Sequence, residues 1–270
     1  MRRIQLTIEY DGTRYAGWQR QANALAVQQV VEEKLAKLTR QPVTLHGASR
    51  TDAGVHALGQ SAHFDTGSAI PGEKFSFALN TLLPPDIRVR ASEEVPPSFH
   101  ARFSSKGKRY RYLFHVSPHA GALNRLTHAH IIYPLDEALM AREAESLVGT
   151  HDFAAFAASG SVVRDTVRTI HRAEIARDGT EIRLTVEGNG FLYNMVRIIA
   201  GTLVGVGSGK IEPGAFARAI ASGNRLDLGV TAPVSYTHLD VYKRQGQRGN
   251  DARKIPRIRP HEEVTDAIPT

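Results

Sequence analysis

The chain has 270 residues, of which 41% are hydrophobic, and a formal net charge of +7 at pH 7. It contains no cysteine, which excludes disulfide scaffolds and thiolate metal sites and favours a reducing compartment, so we predict a cytoplasmic protein. No apolar run is long enough to span a membrane, and the opening MRRIQLTIEYDG lacks the apolar core of a signal peptide. The positive charge favours an anionic partner such as nucleic acid.

The first half of the chain predicts strands and helices in a mixed order. Ile4, Leu6, Ile8 and Tyr10 alternate with polar residues, which is typical of a half-buried strand. The other predicted elements are a helix at 25–39, a short strand ending at His46, a strand through 61–65, a helix at 73–83 that stops at Pro84-Pro85, and strands at 87–93 and 109–116.

The second half repeats this style. The predicted elements are a helix at 136–148, a hairpin at 166–176 and 181–187 that turns at Arg177-Asp178-Gly179, and helices at 191–204 and 213–222. Together the two halves predict an α+β fold of two lobes with mostly antiparallel sheets flanked by helices. We expect an N-terminal lobe at 1–116 and a C-terminal lobe at 117–232.

The character of the chain changes after Ala232. The segment PVSYTHLDVYKRQ can be back-translated to a DNA string that is nearly its own reverse complement and resembles two head-to-head transposon ends used in sequencing-library preparation. We therefore predict that residues 233–270 are an artefactual tail joined to a truncated protein. Pro256, Pro260 and an unpatterned run of charges favour an extended or weakly packed tail, with at most a strand near 235–242.

Two apparent ligand sites fail on spacing. GVGSGK at 205–210 resembles a phosphate loop, but Ile211 stands where Ser or Thr is required, so a glycine-rich helix end is the better interpretation. The histidines between 115 and 130 have no metal-ligand spacing, and no metal site is predicted.

Two other features admit two interpretations each. Asp52, in the stretch HGASRTDAGVH, is either a turn residue before Ala-Gly or a catalytic carboxylate. Around it the stretch offers few polar companions. The basic residues between Arg102 and Arg111 alternate with Phe103, Tyr110 and Tyr112, which suits either a bound nucleotide or an exposed strand with a solvated face.

The motif around Asp52 decides between these interpretations. GASRTDAGVHALGQ resembles the catalytic motif of the TruA family of tRNA pseudouridine synthases. Three further blocks resemble that family in the same order: YDGTRYAGWQRQ, FHARFSSKGKRYRY and FLYNMVRIIAGTLVGVGSGK. The resemblance covers about residues 3–232, and it stops where the family continues into a Gly-Leu-rich final strand.

The resemblance implies a reaction and its catalytic residues. Uridine loses its N1–C1′ bond, the uracil turns, and C5 bonds to C1′; no redox change or group donor is involved, so no cofactor is expected. Asp52 is the implied nucleophile. Arg197 is the implied partner that keeps this shielded acid ionised, because burial alone raises a carboxyl pKa. Tyr110 is the implied ring that stacks on the target uracil.

The resemblance also implies how RNA is bound. Arg50 matches an arginine that fills the space of the flipped nucleotide, and Arg102 and Lys106 are candidate phosphate contacts. The implied substrate is the anticodon stem-loop of tRNA, at uridines 38–40, and the implied assembly is a homodimer without metal or membrane attachment.

Three rival functions stay open at this point. One is a related synthase with a different uridine target, and another is a non-catalytic RNA-binding protein. The third is an unrelated carboxylate enzyme such as a glycosidase, which normally needs two acids across its site; no second acid accompanies Asp52 in its motif.

Overall fold

The computed structural model describes residues 1–158 and 165–242. Within them, ten strands form one sheet. The strands are β1 (Arg2–Tyr10), β2 (His46–Gly47), β3 (His56–Thr66), β4 (Ile87–Val95), β5 (Gly107–Val116), β6 (Ala129–Ile131), β7 (Gly149–Asp152), β8 (Val167–Asp178), β9 (Glu181–Gly188) and β10 (Thr237–Tyr242). The helices are α1 (Val27–Thr39), α2 (Phe75–Asn80), α3 (Glu137–Glu145), α4 (Met195–Gly207) and α5 (Ala215–Ser222).

The sheet runs in the order β4-β1-β3-β10-β5-β9-β8-β7, with β2 paired to β3 and β6 to β5. Most neighbours are antiparallel; β10 lies parallel to β3 and β6 parallel to β5. The predicted α+β class with mostly antiparallel pairing is therefore confirmed. No helix among the described residues is long and apolar enough to cross a membrane.

Two clusters of buried side chains lie along this single sheet. The first joins the apolar face of β1 to α1, whose Val27, Val31 and Leu35 are fully buried, as the alternating and helical patterns predict. The second gathers β5, β8 and β9 against α3, α4 and α5. The division of the chain at residue 116 into two lobes stays a prediction.

Strand β10 lies within 235–242, where at most a strand was expected, but it corrects the expectation that this part of the tail is weakly packed. It lies in the middle of the sheet, between β3 and β5, and pairs with both. Leu239 is fully buried in the first cluster, with Val241 packed against the same cluster. The physical reason is that Leu239 and Val241 alternate with polar residues, which is a strand pattern whatever encodes it. The rest of the predicted tail, 243–270, lies outside the described residues.

Other differences from the predicted elements are local. Helix α4 begins at Met195, four residues later than predicted, because Asn194 has a left-handed backbone (φ 60°) that no helix continues. Helix α2 is shortened by a preceding 3-10 turn, Gly72–Lys74. The short strands β6 and β7 were not predicted, since three or four residues show too little alternation. GVGSGK does form a helix end, with Gly209 at φ 72°.

Candidate active site

Asp52 lies in the loop that joins β2 to β3. The backbone turns there as the sequence suggested: the Asp52 carbonyl accepts a hydrogen bond from Val55 N–H at 3.2 Å, and Gly54 has φ 82°, which favours glycine. Among the described residues, however, the Asp52 carboxylate has no hydrogen bond and no ion pair within 4.0 Å. The main chain thus makes the turn, and the side chain is left available for chemistry.

The block YDGTRYAGWQRQ packs against this loop and is hydrogen-bonded to it. The Tyr10 hydroxyl lies 2.7 Å from Thr51 Oγ1 in a buried hydrogen bond, and Trp18 N–H donates to the Thr51 carbonyl at 3.1 Å. Gly17 has φ 84°, and a side chain there would bring Cβ to 2.3 Å from the Thr51 carbonyl oxygen. A Cβ at Gly12 would be 2.0 Å from the carbonyl of Val55. Only glycine permits the two loops to lie this close.

A cavity of about 460 Å³ opens beside Asp52. It falls within the usual size range of small-molecule and nucleotide sites. Its walls come from the Asp52 loop, from β5, from the segment before α4 and from β10. The lining residues are Ser49, Arg50, Thr51, Asp52, Val55, Lys108, Tyr110, residues 191–197 and Thr237.

Arg197 supplies the favourable charge at Asp52 without touching it. Burial raises the pKa of the Asp52 carboxyl above its usual value, and the positive charge of Arg197 opposes that rise. The guanidinium is fixed elsewhere: Nε donates to the Ala232 carbonyl at 2.7 Å, and Nη1 donates to Asn194 Oδ1 at 2.8 Å. The pairing that the family resemblance implies therefore takes the form of a charge–charge interaction, with no contact between the two side chains.

Tyr110 presents a protonated phenol to the same cavity. Its ring packs edge-to-face on Phe191, with centroids 5.0 Å apart and planes at 82°. Burial raises the pKa of Tyr110 to about 12; Ser49 opposes this rise, and the charge of Asp52 adds to it. At neutral pH the ring can therefore stack on a base and donate a proton, but it does not carry a charge.

The cavity contains two further cations. Arg50 lines it and is exposed, as expected for a residue that meets substrate. Lys108 also lines it, and burial lowers its pKa to about 8, assisted by the charges of Arg102 and Arg168. Arg102 and Lys106 do not line the cavity; both are exposed in the segment between β4 and β5.

Among the described residues, no group of three or more His, Asp or Glu side chains is arranged to hold a metal ion.

Comparison with known proteins identifies the family to which this chain belongs. A family model described as tRNA pseudouridine synthase matches residues 6–104 and 144–241. The chain belongs to the tRNA pseudouridine synthase family.

Three relatives, each named tRNA pseudouridine synthase A, match this synthase over most of its length. The one from Ruminiclostridium cellulolyticum is 53% identical over 240 residues, which cover 88% of this chain and 98% of the relative. The one from Acetivibrio thermocellus is 50% identical, covering 90% of this chain and all of the relative. The one from Geotalea daltonii is 48% identical, covering 86% and 96% respectively.

Sequence reasoning missed several residues of the synthase cavity. Lys108 could have been found, because residues two apart on a strand face the same side and Tyr110 was already assigned to the site. Phe191 and Asn194 were assigned to a helix, and only the left-handed backbone at Asn194 shows that they belong to a loop. Thr237 was assigned to a tail without a function.

Proposed function

We propose that this chain isomerises uridine to pseudouridine at positions 38–40 of the tRNA anticodon stem-loop, with Asp52 as nucleophile. The observation that carries the proposal is that one cavity of a tRNA pseudouridine synthase fold collects Asp52, Tyr110 and Arg197. The Asp52 carboxylate has no competing partner among the described residues, which leaves its lone pairs available for attack on substrate.

In the proposed reaction, the Asp52 carboxylate attacks C1′ and the N1–C1′ bond breaks, which leaves the uracil with the bonding electron pair. The freed uracil turns against the Tyr110 ring. C5 then bonds to C1′ and displaces the carboxylate, after which C5 loses its proton and N1 gains one. Atoms and electrons balance within the substrate and the protein, so the proposal includes no cofactor.

The proposal is tested by incubating the protein with uridine-labelled tRNA and mapping pseudouridine along the product. Pseudouridine at 38, 39 or 40 is the expected result. Pseudouridine at another position would assign a different target. Tight binding of tRNA without any pseudouridine would favour a non-catalytic RNA-binding protein. The proposal also includes a cytoplasmic homodimer, for which sedimentation of the purified protein should give twice the mass of the chain.

The origin of residues 233–270 is a separate proposal: we infer that they come from a sequencing adapter joined to a truncated gene. The near-palindromic coding string supports this inference. The family match reaches residue 241, and β10 packs in the sheet, so 237–242 takes the place of a final strand whatever its origin. Resequencing the gene without transposon-based library preparation should return a different C-terminal segment.

We expect substitutions of Tyr110 to separate stacking from proton transfer. Tyr110→Phe should retain tRNA affinity and lose turnover, because the ring remains and the phenol is gone. Tyr110→Ala should lose turnover and also weaken binding by roughly five- to a hundredfold, since stacking on one base contributes about 1–3 kcal/mol. Turnover and equilibrium binding should be measured with the same tRNA. Tyr133→Phe, outside the cavity, should change neither, and equal binding by the Phe and Ala variants at 110 would contradict stacking.

Removing the charge of Arg197 should move the acid limb of the pH–rate profile. Activity needs ionised Asp52, so kcat/KM falls as pH falls through the pKa of Asp52. Arg197 lowers that pKa. Arg197→Gln should therefore raise the pKa and shift the acid limb to higher pH, whereas Arg197→Lys should shift it less. Arg50→Gln is the matched control, because it removes a cavity cation that does not set the pKa of Asp52. An unmoved limb in Arg197→Gln would show that Arg197 acts on some other group.

A further inference from the structure

The segment between β4 and β5 has no regular secondary structure, yet it is held firmly. Arg3 Nη1 donates to the carbonyls of Pro97 and Phe99 at 2.6 and 2.7 Å. Ala101 N–H donates to Nδ1 of the buried His63 at 3.1 Å. These bonds tie the segment to β1 and β3, so its tip has a fixed position.

That tip presents an aromatic ring to solvent. The backbone closes a small ring there, since Ser104 N–H donates to the His100 carbonyl at 2.8 Å and His100 N–H donates to Ser104 Oγ at 3.0 Å. Phe103 remains 77% exposed. His100 packs against it, with centroids 4.5 Å apart, and Arg102 Cζ lies 5.8 Å from the centre of the ring. A large apolar side chain is thus kept in water on a fixed loop.

A row of imidazoles continues from Phe103 toward the sheet. His100 contacts His63 at 4.7 Å between centroids, and His63 stacks on His46 at 5.1 Å with planes at 25°. Burial lowers the pKa of His63 to about 4, with help from the charges of His100 and Arg3. The pKa of His100 is also lowered, first by burial and then by His46 and Arg3. At neutral pH the rings of His63 and His100 are therefore uncharged.

The surroundings of the ring favour an anionic partner. No Asp or Glu occurs in residues 95–135, which contain Arg102, Lys106, Lys108, Arg109, Arg111 and Arg125. The charge of Arg102 adds to the effect of burial in lowering the pKa of Lys108, which lines the cavity. Of these cations, Arg102 lies at the ring and Lys106 is exposed in the same segment, whereas Arg109 is paired with Glu187 and Asp240.

We propose that Phe103, backed by His100 and flanked by Arg102, is a stacking platform for an unpaired base of the RNA substrate, outside the catalytic cavity. The inference rests on the proposed RNA substrate and adds a second contact to it. A base stacks on the solvent-exposed ring, and the guanidinium of Arg102, which lies over that ring, meets the adjoining phosphate. The exposed cations Arg102 and Lys106 on the same segment as the ring favour a polyanionic partner, and RNA is one.

Equilibrium binding of a tRNA transcript to Phe103 variants tests the platform. Phe103→Ala should weaken binding by roughly five- to a hundredfold, and Phe103→Trp should match or exceed the wild type. Phe103→Leu should resemble Phe103→Ala, because leucine retains apolar bulk without a π face. Phe77→Ala is the matched control: Phe77 is 70% exposed and has Lys74 Nζ 5.4 Å from its ring centre, yet it lies on α2. It should leave binding unchanged.

The outcomes separate this inference from the proposed function. If the wild type binds tRNA and makes pseudouridine while Phe103→Ala binds equally well, the platform is wrong and the function stands. If the wild type binds no tRNA, both are wrong. Wild-type affinity in Phe103→Leu would overturn stacking. Conversion of a dimer to a monomer by Phe103→Ala, seen by sedimentation without RNA, would assign the ring to a protein interface instead.

Discussion

Asp52→Asn should lower turnover by roughly a thousandfold or more while leaving tRNA affinity within a few-fold of the wild type. An amide of nearly the same shape fills the same space but is a poor nucleophile. RNA affinity comes mainly from phosphate contacts and stacking, and Asp52 supplies neither. Pseudouridine formed per tRNA and equilibrium binding should be measured on the same preparation. Appreciable pseudouridine from this variant would show that Asp52 is not the reagent.

Stability gives this variant a second readout. Folding raises the pKa of Asp52, so the folded state favours the protonated carboxyl, and above that pKa the ionised side chain opposes folding. The neutral amide removes this opposition at neutral pH. We therefore expect the Tm of Asp52→Asn to equal or exceed that of the wild type, which excludes misfolding as the cause of lost activity. Asp178→Asn, at a hairpin turn far along the chain, should keep both turnover and Tm.

The second large effect concerns β10. A chain ending at Ala232 should lose cooperative unfolding, because it lacks a central strand and exposes two unpaired strand edges at β3 and β5. It also loses the buried Leu239 and the hydrogen bond from the Tyr112 hydroxyl to the Pro233 carbonyl. Together these losses approach the whole stability of a typical domain, about 5–15 kcal/mol. Circular dichroism and thermal unfolding should show the loss, and activity should vanish with it.

Matched chains separate the strand from the segment that follows it. A chain ending at Tyr242 should unfold cooperatively and retain activity, and one with a Gly-Leu-rich strand after Pro233 should be at least as stable. Leu239→Ala should lower the free energy of unfolding by about 2–5 kcal/mol, whereas Leu226→Ala, at a side chain 88% exposed, should have almost no effect. Equal stability of the chains ending at Ala232 and Tyr242 would mean that β10 contributes nothing.

The fold was largely predictable because its elements repeat simple patterns. The alternation at Ile4, Leu6, Ile8 and Tyr10 needs only a period of two, and all four are buried. Asp52 was identified by its motif. Its burial and its partner Arg197 were implied only by the family resemblance; no local pattern shows them, since they act between residues that are distant in sequence. Residues 191–194 were predicted to form the first turn of a helix. They line the cavity instead, because Asn194 has a left-handed backbone, and no local sequence pattern predicts that conformation.

Strand β10 imposes an order on how the protein is made. His238 pairs with His56, which lies in the first quarter of the chain, so this pairing must wait until almost all of the described chain has left the ribosome. Until then β3 and β5 have no common neighbour, and Thr237 is missing from the cavity wall. Contacts of such long sequence separation form slowly. The nascent synthase should therefore spend its synthesis time with open strand edges, depend on chaperones during that interval, and become able to modify RNA only at the final step of folding.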